Sequence, residues 1–250
     1  MRRITAILLA ALMAMSLAAC GGNEQNQSAQ GIIERPQQNE DTQTQEIPTV
    51  SDEEEPPEDD TAANTQAPTG SNILIAYFTV PETDGVDTVA SASRVAMEDG
   101  VVGNTEFIAM EIQKNLGGDL FAIETVQEYP GSHDPLLEFA YNEKSDDARP
   151  ELSAHIESLD DYDYIFIGYP NWNADLPMPL YTFFEEYDFS GKTIIPFVTH
   201  GGSGFSSTVR TIQSLEKDAT VVEAGLSISR NSVADAQADV KSWTDSLLAD

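Results

Sequence analysis

Cysteine and basic residues are scarce in this chain of 250 residues. The single cysteine, Cys20, excludes an intramolecular disulfide and a cluster of cysteine ligands around a metal. The three histidines, at positions 133, 155 and 200, show no metal-ligand spacing, so we expect no metal centre. Only 12 Lys and Arg oppose 43 Asp and Glu, which gives a formal net charge of -31. Because nucleic-acid binding requires a basic surface, a nucleic-acid partner is not expected. The acidity favours a solvated surface or docking to a basic partner.

Aromatic side chains are absent from residues 21–71, which are rich in Gln, Asn, Pro and acidic residues. The run from Asp52 to Asp60 contains only Asp, Glu and Pro. Such a stretch buries too little apolar surface to offset the entropy of ordering, so we expect a disordered acidic linker. About fifty flexible residues reach roughly 40 Å, which would hold a domain clear of a membrane.

Residues 1–20 have the features of an export signal. Two arginines precede an apolar stretch, Ile4 to Leu17, that is too short for a comfortable membrane span. The segment Leu17-Ala18-Ala19-Cys20 follows and resembles the lipobox of bacterial lipoproteins. That resemblance implies lipidation of Cys20 and an extracytoplasmic protein anchored to the cell membrane. An ordinary cleaved signal peptide is the alternative.

Residues 72–250 carry the pattern of one folded domain. Apolar runs of strand length occupy residues 72–79, 119–126, 164–169, 193–199 and 221–228. Apolar residues recur at helical spacing in the segments 108–116, 209–215 and 233–247, with Ser232 placed to cap the last helix. The alternation predicts an α/β fold with a five-stranded parallel sheet covered on both faces. Ligands of such sheets bind beyond the carboxyl ends of the strands.

The loop after the first predicted strand contains groups that suit a phosphate. Thr79 ends the strand, and Gly103-Asn104-Thr105-Glu106 opens a helix. The start of a helix offers unpaired N–H groups and the positive end of a dipole, and the threonines add hydroxyl donors. An ordinary capped helix is the alternative.

Two further loops suit a flat, polar ligand. The segment from Pro170 to Pro179 holds Trp172 among amides and prolines, and this tryptophan either stacks on a ligand or folds back onto the core. The segment from Thr199 to Ser207 is rich in glycine, which allows close backbone approach to a ligand or a flexible loop. His200 is a candidate to hydrogen-bond the ligand or to cap a helix, while the other two histidines are expected at the surface.

Three segments together closely resemble the flavodoxin-like family of bacterial proteins: Tyr164–Trp172, Tyr187–Phe197 and Thr199–Gly204. The resemblance covers roughly residues 72–228 and implies a flavodoxin-like three-layer sandwich with FMN as cofactor. In that family the FMN phosphate lies in the first loop and the isoalloxazine ring lies between the other two. Carried over to this chain, the phosphate falls to Thr79, Gly103, Asn104 and Thr105. The ring falls to Pro170, Asn171, Trp172, Asn173, Thr199, His200, Gly201 and Gly202.

Residues 80–102 depart from the family's pattern, in which Thr or Ser stands only a few residues before Gly-Asn-Thr. This insertion contains one basic residue, Arg94, against five acidic ones: Glu82, Asp84, Asp87, Glu98 and Asp99. Since these carboxylates would repel a phosphate, we expect them to point outward. The insertion leaves open whether Thr79 contributes to the site, and it suggests a lid over it.

The sequence thus predicts an FMN-binding lipoprotein that transfers electrons at the extracytoplasmic face of the membrane. The acidity predicts a low potential for the negatively charged reduced cofactor and a carrier of single electrons. No catalytic residue is assigned, and the redox partners are unknown. A flavin-dependent NAD(P)H:quinone-type reductase and a flavodoxin-fold binding module without flavin are the alternatives.

Overall fold

The computed structural model describes residues 72–82, 93–98 and 100–248. The predicted signal peptide with Cys20, the predicted linker, and Asp84, Asp87 and Asp99 of the insertion lie outside the described residues. Within the described part of the chain, no helix has the length and apolar content needed to cross a membrane. The same part contains no group of three or more His, Cys, Asp or Glu placed to hold a metal ion.

A parallel sheet forms the centre of the domain. Its strands are β1 (Ile73–Tyr77), β4 (Asp119–Ala122), β5 (Tyr164–Pro170), β6 (Thr193–His200) and two short edge strands, β7 (Thr220–Val221) and β8 (Leu226–Ser229). Their order across the sheet is β4-β1-β5-β6, with β7 paired to the first part of β6 and β8 paired to its last part along the same edge. The order reverses beside β1, so β1 and β5 flank the switch point at which such sheets bind ligands.

The edge strand that the sequence predicted as one run is divided in two. Pairing with β6 stops at Ile194 and resumes at Phe197. Val222 N–H donates to Ile194 O over 2.9 Å, so Ile194 directs its polar groups toward this edge. Pro196, two residues further on, faces the same edge but has no N–H to donate, which explains the interruption. The five predicted strand positions are otherwise confirmed.

Helices cover both faces, as predicted. One face carries α1 (Asn104–Leu116) and α5 (Gln237–Leu247), and its core includes Ile73 and Ile75. The other face carries α2 (His133–Ser145), α3 (Met178–Glu186) and α4 (Thr208–Leu215), and its core includes Leu74 and Ala76. Successive residues of a strand point to opposite faces, and therefore each strand supplies both cores. The three-layer sandwich is thus confirmed.

Three local expectations require correction. The prolines after Trp172 signal a loop in sequence, but Pro177 and Pro179 instead flank the start of α3, where a missing N–H costs nothing. Ser232 makes no capping hydrogen bond, because a single turn of 3-10 helix (Val233–Asp235) precedes α5. Part of the insertion forms an antiparallel pair, β2 (Arg94–Met97) with β3 (Gly100–Gly103), which leads directly into α1.

Candidate functional site

The carboxyl ends of β1, β5 and β6 open into a cleft of about 280 Å³. All the residues predicted to contact a cofactor line it, except Gly103 and Gly202. Sequence reasoning missed several lining residues from the insertion, from α2, and from the ends of β1, β5, β6 and β8: Val80, Ser93, His133, Leu136, Leu137, Ala174, Ser203 and Arg230. No signal in the sequence linked α2 or Arg230 to the cleft, since both reach it only through the fold.

Thr79 and the start of α1 lie together despite the insertion between them. A Cβ atom placed on Gly103 would lie 2.0 Å from Thr79 Oγ1, so only glycine permits this approach. The antiparallel pairing of β2 with β3 explains how Gly103 comes to lie beside Thr79, because the hairpin returns the chain to the end of β1. Gly103 therefore does not line the cleft, but its lack of a side chain allows Thr79 to lie beside the start of α1.

The start of α1 offers fewer free N–H groups than the sequence suggested. Gly103 N–H donates to Glu106 Oε2 over 3.1 Å, and Asn104 N–H donates to Ser93 O over 3.0 Å. The hydroxyl groups of Thr105 and Thr199 are hydrogen-bonded to each other at 2.9 Å. The predicted phosphate position therefore depends on hydroxyl groups and on the helix dipole more than on the first two amides.

Glu82 contradicts the expectation that the acids of the insertion point outward. Only 3 % of its surface is exposed. Arg94 Nη1 donates to the Glu82 backbone carbonyl over 3.3 Å, so the hairpin folds back onto the segment after β1 and covers it. Glu98, in contrast, is exposed as expected.

Trp172 packs against the core, which is one of the two alternatives that the sequence left open. It is 7 % exposed, because the rings of Phe78 and Tyr129 pack against it at centroid distances of 5.4 and 5.8 Å. It nevertheless borders the cleft. Its contact with a bound ring stays a prediction, and its removal would also disturb the core.

A tight turn fixes the loop that follows Trp172. Asp175 N–H donates to Trp172 O over 2.9 Å, and both central residues, Asn173 and Ala174, have positive φ, as in a type I′ turn. Lys144 of α2 holds this turn through Asn173 O at 2.9 Å and the Asp175 carboxylate at 3.1 Å. The loop is thereby fixed before any ligand binds.

Asn171 joins the loops after β5 and β6. Its backbone N–H donates to Thr199 O over 2.8 Å, and its side-chain amide donates to Gly204 O over 2.6 Å. Within the described residues, the buried Asn171 Oδ1 has no hydrogen-bond partner. An unpaired buried acceptor is costly and suits a donor on a ligand.

His200 is held as a neutral donor. Gly202 N–H donates to its Nδ1 over 2.9 Å, so the proton of the neutral ring lies on Nε2. Burial lowers the pKa of His200 below its ordinary value of 6.5. Gly202 therefore acts on the site through His200, although it does not line the cleft.

Arg230 and His133 meet across the cleft. Arg230 follows β8, and its Nη1 lies 3.5 Å from Nε2 of His133, the first residue of α2. The guanidinium carbon lies 3.7 Å from the position that a Cβ on Gly201 would occupy. His133 is thus a half-buried cleft residue rather than the surface residue expected.

No Asp or Glu among the described residues lines the cleft. This is notable in a chain with a formal net charge of -31. Among the same residues no carboxylate forms an ion pair with Arg230, and its buried Nε has no hydrogen-bond partner. Arg230 is thus the one Lys, Arg, Asp or Glu among the described lining residues, and its charge favours a negatively charged ligand.

We predict that His200 titrates below pH 6.5 in the folded protein. The unfolded chain then binds the proton more readily than the folded chain, so stability falls as pH drops from 6.5 through the lowered pKa. In His200→Asn, the amide oxygen can replace Nδ1 as acceptor without titrating, which removes this contribution. Proton NMR titration gives the pKa, and urea unfolding of both proteins across this window gives the difference in stability. A His200 pKa at or above 6.5 would contradict the prediction.

Two solved structures are similar to this chain, and the first of them supports the fold. A candidate flavoprotein from Bacteroides uniformis is 26% identical over 71% of this chain and 99% of its own, with a TM-score of 0.51. A flavoprotein from Lactobacillus acidophilus, solved in complex with FMN, is 16% identical over 67% of this chain and 99% of its own, with a TM-score of 0.47. No curated protein sequence matches this chain.

The sequence model of one family, described as Flavodoxin, matches residues 98–247. The match covers more than half of the chain and includes the strands β5, β6 and β8, whose ends form the cleft. It agrees with the parallel sheet and with the helices on both of its faces. This chain therefore belongs to the flavodoxin family.

Proposed function

We propose that this protein binds FMN in the cleft and carries electrons. The observation that carries the proposal is the absence of carboxylates from the cleft lining within the described residues, in a chain that is otherwise strongly acidic. An acidic protein that keeps one cleft free of acid can accept an anionic cofactor there. The cleft also opens at the carboxyl ends of parallel strands, where α/β sheets bind nucleotides.

The residues present fit the two parts of FMN. Thr79, Thr105 and Ser93 line the cleft beside the start of α1, and their hydroxyl groups suit the phosphate. The loops 170–173 and 199–202 suit the ring, with Asn171 Oδ1 as an acceptor and His200 Nε2 as a donor at its edge. The volume of about 280 Å³ lies close to the range of small-molecule sites, about 300–1,000 Å³.

When bound, FMN would supply the electron-accepting chemistry, while the protein would position it and set its redox potential through the surrounding charges and hydrogen bonds. Lys144 fixes the turn that contains Asn173. Asn171 connects the loop after β5 to the loop after β6 through its hydrogen bond to Gly204 O. A rigid pair of loops limits the reorganisation that accompanies electron transfer. The chain also lacks a Gly-x-Gly-x-x-Gly turn after its strands, which favours a mononucleotide over a dinucleotide.

We also propose that the domain acts outside the cytoplasm, anchored through lipid on Cys20. The support is the arginine-led apolar leader that ends at Leu17-Ala18-Ala19-Cys20, where the only cysteine of the chain stands. Each buried CH₂ of a lipid chain would contribute about 0.8 kcal/mol to membrane binding.

Thr79→Val should weaken FMN binding roughly tenfold, because a hydroxyl hydrogen bond to a charged group contributes about 1.5–3 kcal/mol. Riboflavin, which lacks the phosphate, should bind parent and variant equally. Isothermal titration with FMN, riboflavin and FAD measures both effects. Thr211→Val is the matched control, since Thr211 lies on α4 and its hydroxyl bonds Ser207 O away from the cleft. Absence of FMN binding to the parent, or tighter binding of FAD, would reject the proposed cofactor.

Cys20→Ser should release the protein from the membrane fraction of a bacterial host, because serine cannot receive the lipid. Fractionation and immunoblotting of parent and variant measure this. Ser28→Ala, in the predicted linker, serves as a control that leaves Cys20 intact. Firm membrane association of the Cys20→Ser protein would reject the lipid anchor.

A further inference from the structure

We infer that Arg230 binds the negative charge that the flavin ring acquires on two-electron reduction, and that it thereby favours reduced over oxidised FMN. This inference rests on the proposed FMN site. It opposes the expectation, drawn from net charge, that the protein disfavours a negatively charged reduced cofactor.

The position of Arg230 places its charge at the ring end of the cleft. Its backbone N–H donates to His200 O over 2.8 Å, which fixes the start of the side chain beside the second ring loop. Its guanidinium lies next to Gly201, in van der Waals range of the position that a Cβ on this residue would occupy. Of the groups proposed for the phosphate, Thr79 follows the end of β1 and Thr105 lies in the first turn of α1.

The charge of Arg230 is not neutralised within the described residues. No carboxylate of that part of the chain pairs with it, and its nearest polar side-chain partner is His133 at 3.5 Å. Arg149 shows the contrast, because it contacts the carboxylates of Asp147 and Glu185 at 2.8 and 2.7 Å. A guanidinium stays protonated at any physiological pH, so Arg230 presents a constant positive charge.

The charges of oxidised and reduced FMN show which of the two forms Arg230 would bind more tightly. Oxidised flavin carries no charge on its ring at neutral pH. Addition of two electrons and one proton leaves one negative charge on the ring, and in the test dithionite supplies the electrons. The phosphate charge is the same in both forms. A cation beside the ring therefore changes the ratio of the two affinities, whereas a cation beside the phosphate changes both affinities equally.

The test compares parent, Arg230→Gln and Arg230→Lys protein in anaerobic titrations with oxidised and dithionite-reduced FMN. Parent protein should bind reduced FMN at least as tightly as oxidised FMN. Arg230→Gln should lower the ratio of the two affinities about tenfold, which equals about 30 mV in a two-electron potential. Arg230→Lys should retain most of the ratio, because it keeps the charge.

Lys217→Gln is the matched control. It removes one positive charge from an exposed position just before β7, at the amino-terminal end of the strands and opposite the cleft. Its affinity ratio should equal that of the parent. Circular dichroism and thermal melting establish that each variant is folded, and the parent ratio alone tests the inference if Arg230→Gln does not fold.

Each outcome separates the inference from the proposed function. If oxidised FMN does not bind the parent, the proposed function fails and the inference fails with it. If FMN binds but the ratio is unchanged in Arg230→Gln, or the parent binds reduced FMN tenfold more weakly, only the inference fails. If Arg230→Gln weakens oxidised FMN but not oxidised riboflavin, Arg230 serves the phosphate and the inference is overturned.

Discussion

Backbone hydrogen bonds between the carboxyl ends of the parallel strands are the constraint on which the rest of the site depends. Phe78 N–H donates to Gly168 O, Asn171 N–H to Thr199 O, and Arg230 N–H to His200 O, at 2.8–2.9 Å. These bonds continue the ladder to the ends of the strands and just beyond them, so each loop leaves the sheet in a fixed direction. The cleft lies at the strand ends that these bonds hold together.

The distribution of charge follows from the same geometry. Acidic residues dominate the chain, yet the strand ends present hydroxyls, amides, His200 and Arg230 to the cleft. A carboxylate inside a partly dry cleft would repel an anionic ligand far more than one on the surface, where water screens it. The absence of acid from the cleft lining, within the described residues, is therefore a property of the fold that net charge alone does not reveal.

Much of the fold was predictable because its signals are local. Five apolar runs indicated the strands, and the alternation with helical spacing indicated a parallel sheet. The three loops predicted to contact a ligand each come after a predicted strand, so it was also predictable that they meet at one edge of the sheet. Gly103 was identified as part of the site, but its reason, the approach of Thr79, depends on a contact across the insertion.

The rest depends on contacts between distant parts of the chain. Trp172 is covered by Phe78 and Tyr129, which no pattern near position 172 indicates. Glu82 is buried because a hairpin folds over it, and Arg230 reaches the cleft because β8 pairs with β6. Pro177 and Pro179 misled the prediction for a different reason, since the same residue type signals both a loop and the first turn of a helix.

The most direct test of the account is a map of amide chemical shifts in isotope-labelled protein titrated with FMN. The largest changes should cluster at the carboxyl edge of the sheet, at Thr105, Asn171, Gly201 and Arg230. Amides at the opposite edge, such as Lys192 and Ala219, should stay unchanged. Changes centred away from the cleft, or no saturable change at all, would contradict the claim that the cleft is an FMN site.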